Sequence, residues 1–155
     1  MAECILDATD KKILEILAEN AYATSTQIGS IINLSVPAVN KRIAKLRENG
    51  TIRSITALTE PKKVGKPIMA YVLLVIQYGT SVDALMNYVN RDKDILECQA
   101  VTGEYDYIIK VCAASVEAFE EKLLHLKKQK GVLKSHTMLC LQEHKFKPSI
   151  LPDAE

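Results

Sequence analysis

The sequence predicts an α+β protein in two parts: a helical N-terminal unit and a C-terminal unit of alternating strands and helices. Three observations predict it. Apolar residues recur at helical spacing as far as Gly50 and then give way to short β-branched runs. A stretch rich in Pro and Lys, Glu60-Pro-Lys-Lys-Val-Gly-Lys-Pro67, follows and reads as a boundary. Beyond it, Ser81-Val-Asp-Ala-Leu85 returns as Ser115-Val-Glu-Ala-Phe119 after 34 residues, so the second unit reads as two similar halves. The expected domains are therefore 1–60 and 68–155, with a linker over about 60–67.

Asp7 caps the first expected helix, which carries Ile13, Leu14, Ile16 and Leu17, and Asp10 favours the positive end of its dipole. After a break at 20–23, Thr24-Ser-Thr-Gln27 has the form of a capping box and opens a helix bearing Ile28, Ile31 and Ile32. Ser35 caps the third helix. Pro37 falls in its permitted first turn, and Val36, Val39, Ile43 and Leu46 form its buried stripe. Gly50 stops it. Two helices joined by about three residues form a helix-turn-helix pattern. The Ile- and Thr-rich run 51–59 predicts a short β-hairpin or wing.

In the second unit, 68–77 reads as a buried strand and 81–91 as a helix with Val82, Leu85, Met86 and Val89 inward. Strands are expected at 95–102 and 105–113, flanking Gly103-Glu104. A helix at 115–130 carries Val116, Phe119, Leu123 and Leu126, and a last strand occupies 132–141. The order βαββαβ is the ferredoxin-like arrangement.

Composition narrows the function. With 155 residues, 48% apolar and 25% charged, the chain has globular proportions. No apolar run approaches the ~18 residues of a membrane span, so no membrane association is expected. The start, Met1-Ala-Glu-Cys-Ile-Leu-Asp, lacks the charged and apolar regions of an export signal, and Cys4, Cys98, Cys112 and Cys140 include no C-x-x-C pair. These are expected to be reduced thiols of a cytoplasmic protein, the last three as small core residues. His125, His136 and His144 have no convergent ligands, so no metal or cofactor is expected, and no nucleophile or metalloprotease motif marks an enzyme.

The net charge of +1 is unevenly placed. Over 36–66 there are eight basic residues (Lys41, Arg42, Lys45, Arg47, Arg53, Lys62, Lys63, Lys66) against Glu48 and Glu60, a net +6, leaving −5 on the rest. That is the footprint of a local surface for double-stranded DNA. With the apolar stripe buried, Asn40, Lys41, Arg42 and Lys45 are expected to project outward with Ala38. Arg and Lys can read guanine or bind phosphate, Asn can read adenine, and a small residue lets the helix approach. The helix start, Ser35 to Ala38 with Pro37, is expected to offer free N–H groups to a phosphate, and Arg53 and the linker lysines to add backbone contacts.

The ordered fragments Leu6-Asp7-x-x-Asp10-x-x-Ile13-Leu14, Asn20-Ala21, Ser35-x-x-x-Val39-x-x-Arg42-Ile43-x-x-Leu46, Gly50-x-Ile52, Val101-Thr102-Gly103-Glu104-Tyr105-Asp106-Tyr107, Gly131-Val132 and Thr137 resemble the Lrp/AsnC, or feast/famine, transcriptional regulators over nearly the whole chain. Tyr22 departs from the arginine usual there, and His136 precedes Thr137 where a small hydroxyl residue is frequent. The resemblance implies a winged helix-turn-helix joined by a hinge strand to a ferredoxin-like effector domain. It implies homodimers paired through the sheets of that domain and assembled into tetramers, octamers or larger rings. It also implies a small effector, usually an amino acid, bound between dimers near the loop Thr102, Gly103, Glu104, Tyr105 and Asp106.

By geometry alone Gly103-Glu104 reads as a two-residue type II′ turn. With the resemblance, its N–H groups are expected to face an effector carboxylate and Asp106 its ammonium, with Ser135, His136 and Thr137 on the opposing wall. Two rival functions keep the same architecture: an architectural DNA-binding protein without an effector, and an enzyme like the siroheme decarboxylases. The intact third helix and its +6 segment weigh against the enzyme.

Overall fold

The protein was analysed as a computed structural model that describes residues 6–153. Cys4 and the other residues of 1–5, the first part of the segment read for an export signal, lie outside the described residues. The chain divides into two compact units, one running to Ala57 and joined by the segment from Lys145, the other spanning Leu58–His144. The sequence pattern places residues 145–153 in the second domain, and in the structure their contacts group them with the first unit.

In the first unit, α1 (Ala8–Glu19), α2 (Ser25–Ile32) and α3 (Val36–Glu48) start where their capping residues stand. Asp7 accepts the Asp10 N–H at 2.8 Å. Thr24 and Gln27 close a reciprocal capping box, each side chain accepting the other's backbone N–H. Asn33 ends α2 in the left-handed region, at φ 57°, where a short polar side chain is tolerated. Ile13, Ile28, Val39 and Leu46 form the buried centre. Gly29 is buried against the α2–α3 turn, where an added Cβ would collide with the Leu34 carbonyl oxygen.

Three residues of the expected apolar stripes face outward, two of them in this unit and the third, Val116, at the start of the last helix. Ile31 lies off the line through Ile28 and Ile32, and Val36 is the first residue of α3, ahead of the turn that packs. The expected hairpin is not formed either: 51–59 is neither helix nor strand. Its start is tacked to α3 through Thr51 N–H to Asn49 Oδ1 (3.1 Å) and Ile52 N–H to the Leu46 carbonyl (2.8 Å). A single β-branched run has no return strand to pair with, so its backbone has no ladder within one chain.

The second unit is a four-stranded antiparallel sheet, β1 (Ile68–Ile76), β2 (Ile95–Ala100), β3 (Tyr107–Ala113) and β4 (Val132–Leu139), in the order β2-β3-β1-β4. Helices α4 (Asp83–Arg91) and α5 (Val116–Lys127) cover one face. Ala70, Val72, Leu74, Ile109 and Val111 of the central strands are buried there against Leu85, Val89, Phe119 and Leu126. Strand alternation sends Met69, Tyr71, Leu73, Ile108 and Met138 to the other face, which neither helix covers. The internal echo is only partly structural. Ser115 caps α5 by accepting the Ala118 N–H at 3.2 Å, whereas Ser81 precedes the start of α4 by two residues.

Along the helix side a charged cluster replaces apolar packing. Lys122 Nζ donates to both oxygens of Asp92 (2.8 and 2.7 Å) and lies 3.1 Å from Asp94 Oδ2, while Lys66 Nζ donates to Asp94 at 2.7 Å. Burial pushes both carboxyls up. The Lys122 bonds at Asp92, and the Lys66 and Lys122 bonds at Asp94, outweigh it and hold both below the usual carboxylate range. Lys66, counted by sequence among the DNA-facing charges, is spent here. Cys98 and Cys112 are at least half-buried and free, with thiols pushed up by burial, but Cys140 is exposed just past the end of β4 rather than in the core.

Candidate DNA and effector sites

Helix α3 presents a polar surface opposite Val39 and Leu46. Asn40, Lys41, Ala44 and Lys45 are exposed, as is Arg53 beyond the helix, and Ala38 is half-buried. Asn40 accepts the Ser25 hydroxyl through Oδ1, which joins the polar face of α3 to the start of α2. The helix start differs from expectation. Pro37 has no N–H, and the Ala38 N–H is held by Ser35 Oγ at 3.4 Å. What faces outward is the positive end of the dipole, with no row of free amides.

Arg42 does not project with Lys41 and Lys45. Its Nη1 donates to Asp7 Oδ2 and to Asp10 Oδ1, both at 2.7 Å. Asp10 is only 7% exposed. These bonds, first from Asp7 and then from Asp10, raise the guanidinium above its ordinary value. The Asp10 backbone N–H and then Arg42 hold the Asp7 carboxyl below its own. Sequence periodicity sets Arg42 among the outward residues of α3; it says nothing of the carboxylates 35 and 32 residues earlier. Setting Arg42 and Lys66 aside leaves six basic residues against two acids over 36–66, a net +4.

A feature of the same unit that sequence reading missed is the tail. Pro148, Ile150 and Leu151 line a groove with Leu14 and Leu17 of α1 and with Ile52, Arg53 and Ile55. Lys11 Nζ donates to the Asp153 carbonyl at 3.2 Å. Two prolines bracketing Ile150 and Leu151 after Lys147 are the available signal.

The loop after β2 is longer than a two-residue turn. β2 ends at Ala100 and β3 begins at Tyr107, leaving 101–106 as the connection. Gly103 has φ 115°, as expected of a glycine-dependent turn, and nothing surrounds its Cα within van der Waals reach of a Cβ. The loop is pinned by Val101 N–H to the Asp106 carbonyl and by Asp106 N–H to the Leu74 carbonyl, each 2.9 Å. Asp106 Oδ2 accepts the Ile76 N–H at 2.7 Å. Its carboxylate therefore ties the loop to β1 through Oδ2.

On β4 the expected wall divides between two faces. Ser135 and Thr137 lie opposite the core residues Leu74 and Val72, so they point to the helix side. His136, opposite Leu73, and Lys134, opposite Val75, point to the uncovered face. There the loop meets them: the Tyr105 and His136 rings stand 6.1 Å apart, and Lys134 Nζ lies 5.8 Å from the Tyr105 ring centroid and 3.2 Å from Glu104 Oε1. Of the expected effector residues, Gly103, Glu104, Tyr105 and His136 form one cluster, and Lys134 joins it unforeseen. Thr102 is exposed on the same loop.

Comparison with known proteins decides the family. Residues 69–150 match the Lrp/AsnC ligand binding domain, and residues 6–53 match a winged helix-turn-helix DNA-binding family. The chain belongs to the Lrp/AsnC family. It is a transcriptional regulator with a DNA-binding helix-turn-helix and a ligand-binding domain. It is 33% identical over 141 residues to HTH-type transcriptional regulator FL11 of Pyrococcus furiosus, covering 91% of this chain and 93% of that one. Transcriptional regulator NMB0573 of Neisseria meningitidis, solved as an L-Met complex, superposes with a TM-score of 0.87 at 28% identity, covering 94% and 96% of the two chains. LrpC of Bacillus subtilis superposes with a TM-score of 0.82 at 25% identity, covering 92% and 99%. Among the described residues of this Lrp/AsnC regulator, no helix is long and apolar enough to cross a membrane.

Proposed function

We propose that this regulator responds to an α-amino acid, bound on the uncovered sheet face at the 101–106 loop, and that the response changes how its copies assemble on DNA. The observation that carries the reading is the cluster of Glu104, Tyr105, Lys134 and His136 beside the open Gly103 turn. An amino-acid zwitterion needs one cation, one anion and a wall for its side chain. Lys134 and the Gly103 N–H suit the carboxylate, Glu104 the ammonium, and the Tyr105 and His136 rings the side chain. The Glu104–Lys134 pair is exposed on both sides, so opening it for a zwitterion costs little. The L-Met bound by the Neisseria regulator supports the ligand class.

Homodimers pair through the uncovered face, where Met69, Tyr71, Leu73 and Ile108 present half-buried apolar surface, and assemble further into tetramers or octamers. Each dimer sets two α3 helices in major grooves about 10 bp apart or a multiple of that. Lys41 and Lys45 contact phosphate or guanine, Asn40 reads base edges, Ser35, Pro37 and Ala38 let the helix start approach, and Arg53 touches the backbone. Coupling arises because a ligand at the assembly interface changes the spacing of the DNA-binding units.

Thermal shift across the twenty L-amino acids, with mass photometry, tests the effector site. At least one amino acid should raise the melting temperature and redistribute the oligomers, and Glu104→Gln with Lys134→Met should abolish both effects. A flat panel would favour an architectural DNA-binding role. A response that survives in the double variant would place the ligand elsewhere.

A further inference from the structure

We infer that Arg42 is a positioning residue for the recognition helix: it binds α1, and through α1 sets the angle at which Lys41 and Lys45 meet DNA. Both hydrogens of its Nη1 are taken by carboxylates of α1. One of those carboxylates already has a second task. Asp7 caps α1 with Oδ1 and holds Arg42 with Oδ2, so the start of α1 and the middle of α3 are fixed by a single side chain.

The core of this unit explains why such a tie is needed. Among the described residues, Ile13, Ile28, Val39 and Leu46 form its fully buried centre, with Ile43 of α3 partly buried against it. Along α3 the fully buried anchors Val39 and Leu46 are seven positions apart, two turns of helix, and lie nearly on one line parallel to the axis, with the partly buried Ile43 about 40° around on the side away from Arg42. Contacts along a line resist translation better than rolling about it. At 100° per residue, Arg42 stands about 60° around the helix from Val39, on the flank that carries Ala38 and Lys45. A bond at that flank opposes roll. The same rotation would swing Lys41 and Lys45 across the groove, and bidentate base reading is lost with small displacements while phosphate attraction is not.

Three classes of variant separate positioning from direct contact. The DNA probes are a duplex obtained by selection from random sequence and a scrambled duplex of equal length, each titrated over a range of salt. Lys45→Ala, in a residue that contacts DNA, should lower the salt slope by about 0.9 for the phosphate lost. Arg42→Ala should leave the slope on scrambled DNA unchanged and reduce the ratio of selected to scrambled affinity about tenfold, the size of one mismatched base pair. The pair Asp7→Asn with Asp10→Asn leaves α3 untouched, and Asn keeps the cap on α1. It should reduce the same ratio. A loss of folded protein would lower both affinities together, so the ratio reads positioning alone, and circular dichroism at the titration temperature checks the folded fraction. An Arg42→Ala slope that falls as in Lys45→Ala would overturn the inference. So would carboxylate variants that keep or raise the ratio, since a freed Arg42 would then be reaching DNA.

Discussion

Asp106→Ala separates two roles for one carboxylate. In the structure Oδ2 accepts the Ile76 N–H at 2.7 Å, at the end of β1 where the register against β4 slips between Val75 and Ile76. A hydrogen bond to a charged acceptor contributes about 1.5–3 kcal/mol. Asp106 is exposed, so water replaces part of the loss, and about 1–2 kcal/mol is the expected cost. The loop itself survives, because Val101 N–H and Asp106 N–H make backbone bonds that the side chain does not supply. Urea unfolding followed by tyrosine emission is the assay. The chain has no Trp, and five of its six Tyr (Tyr71, Tyr78, Tyr88, Tyr105 and Tyr107) lie within Leu58–His144, so the signal reports on this unit. The midpoint should fall by about 0.5–1 M at fixed protein concentration. Asp106→Asn keeps an oxygen acceptor and should lose less than half as much. Any amino-acid response should persist in both variants. Unchanged stability in Asp106→Ala together with a lost response would refute the reasoning and return Asp106 to direct ligand contact.

Two further outcomes follow from the packing. Gly29→Ala should abolish operator binding and unfold the N-terminal unit, because the added Cβ meets the Leu34 carbonyl oxygen in the α2–α3 turn; amide exchange would show protection lost in α1–α3 and kept in the sheet. Lys122→Met should destabilise the second unit by about 2 kcal/mol at pH 7 by removing the cation that Asp92 shares with Asp94 and leaving Asp94 with Lys66 alone, as read by the same tyrosine unfolding curve. Both carboxyls are depressed in the folded state, so their contribution is present above the unfolded value and is lost as pH falls through the folded one. The wild type should therefore lose stability below about pH 4, and the gap between wild type and variant should close there.

Most of the local architecture was legible in the sequence because its signals are contiguous. The caps at Asp7, Thr24 and Ser35 lie within three residues of the N–H groups they accept, and each helix begins where they stand. The change of period after Gly50 separated a helical unit from a sheet, and the ordered motifs identified the family. What the sequence could not supply were pairings between distant residues. Arg42 and Asp106 each carry the charge expected for a ligand contact, and each binds a partner, 35 and 30 residues away, that the sequence does not show. A register of one residue on β4 divides His136 from Ser135 and Thr137, and only its pairing with β1 shows which of them reaches the uncovered face. The proline and aliphatic residues of the tail mark a segment able to pack, but only the fold shows that it groups with the first unit. Caps and periodicity act over one or two turns of chain; the destination of a charge is decided by whatever folding brings beside it.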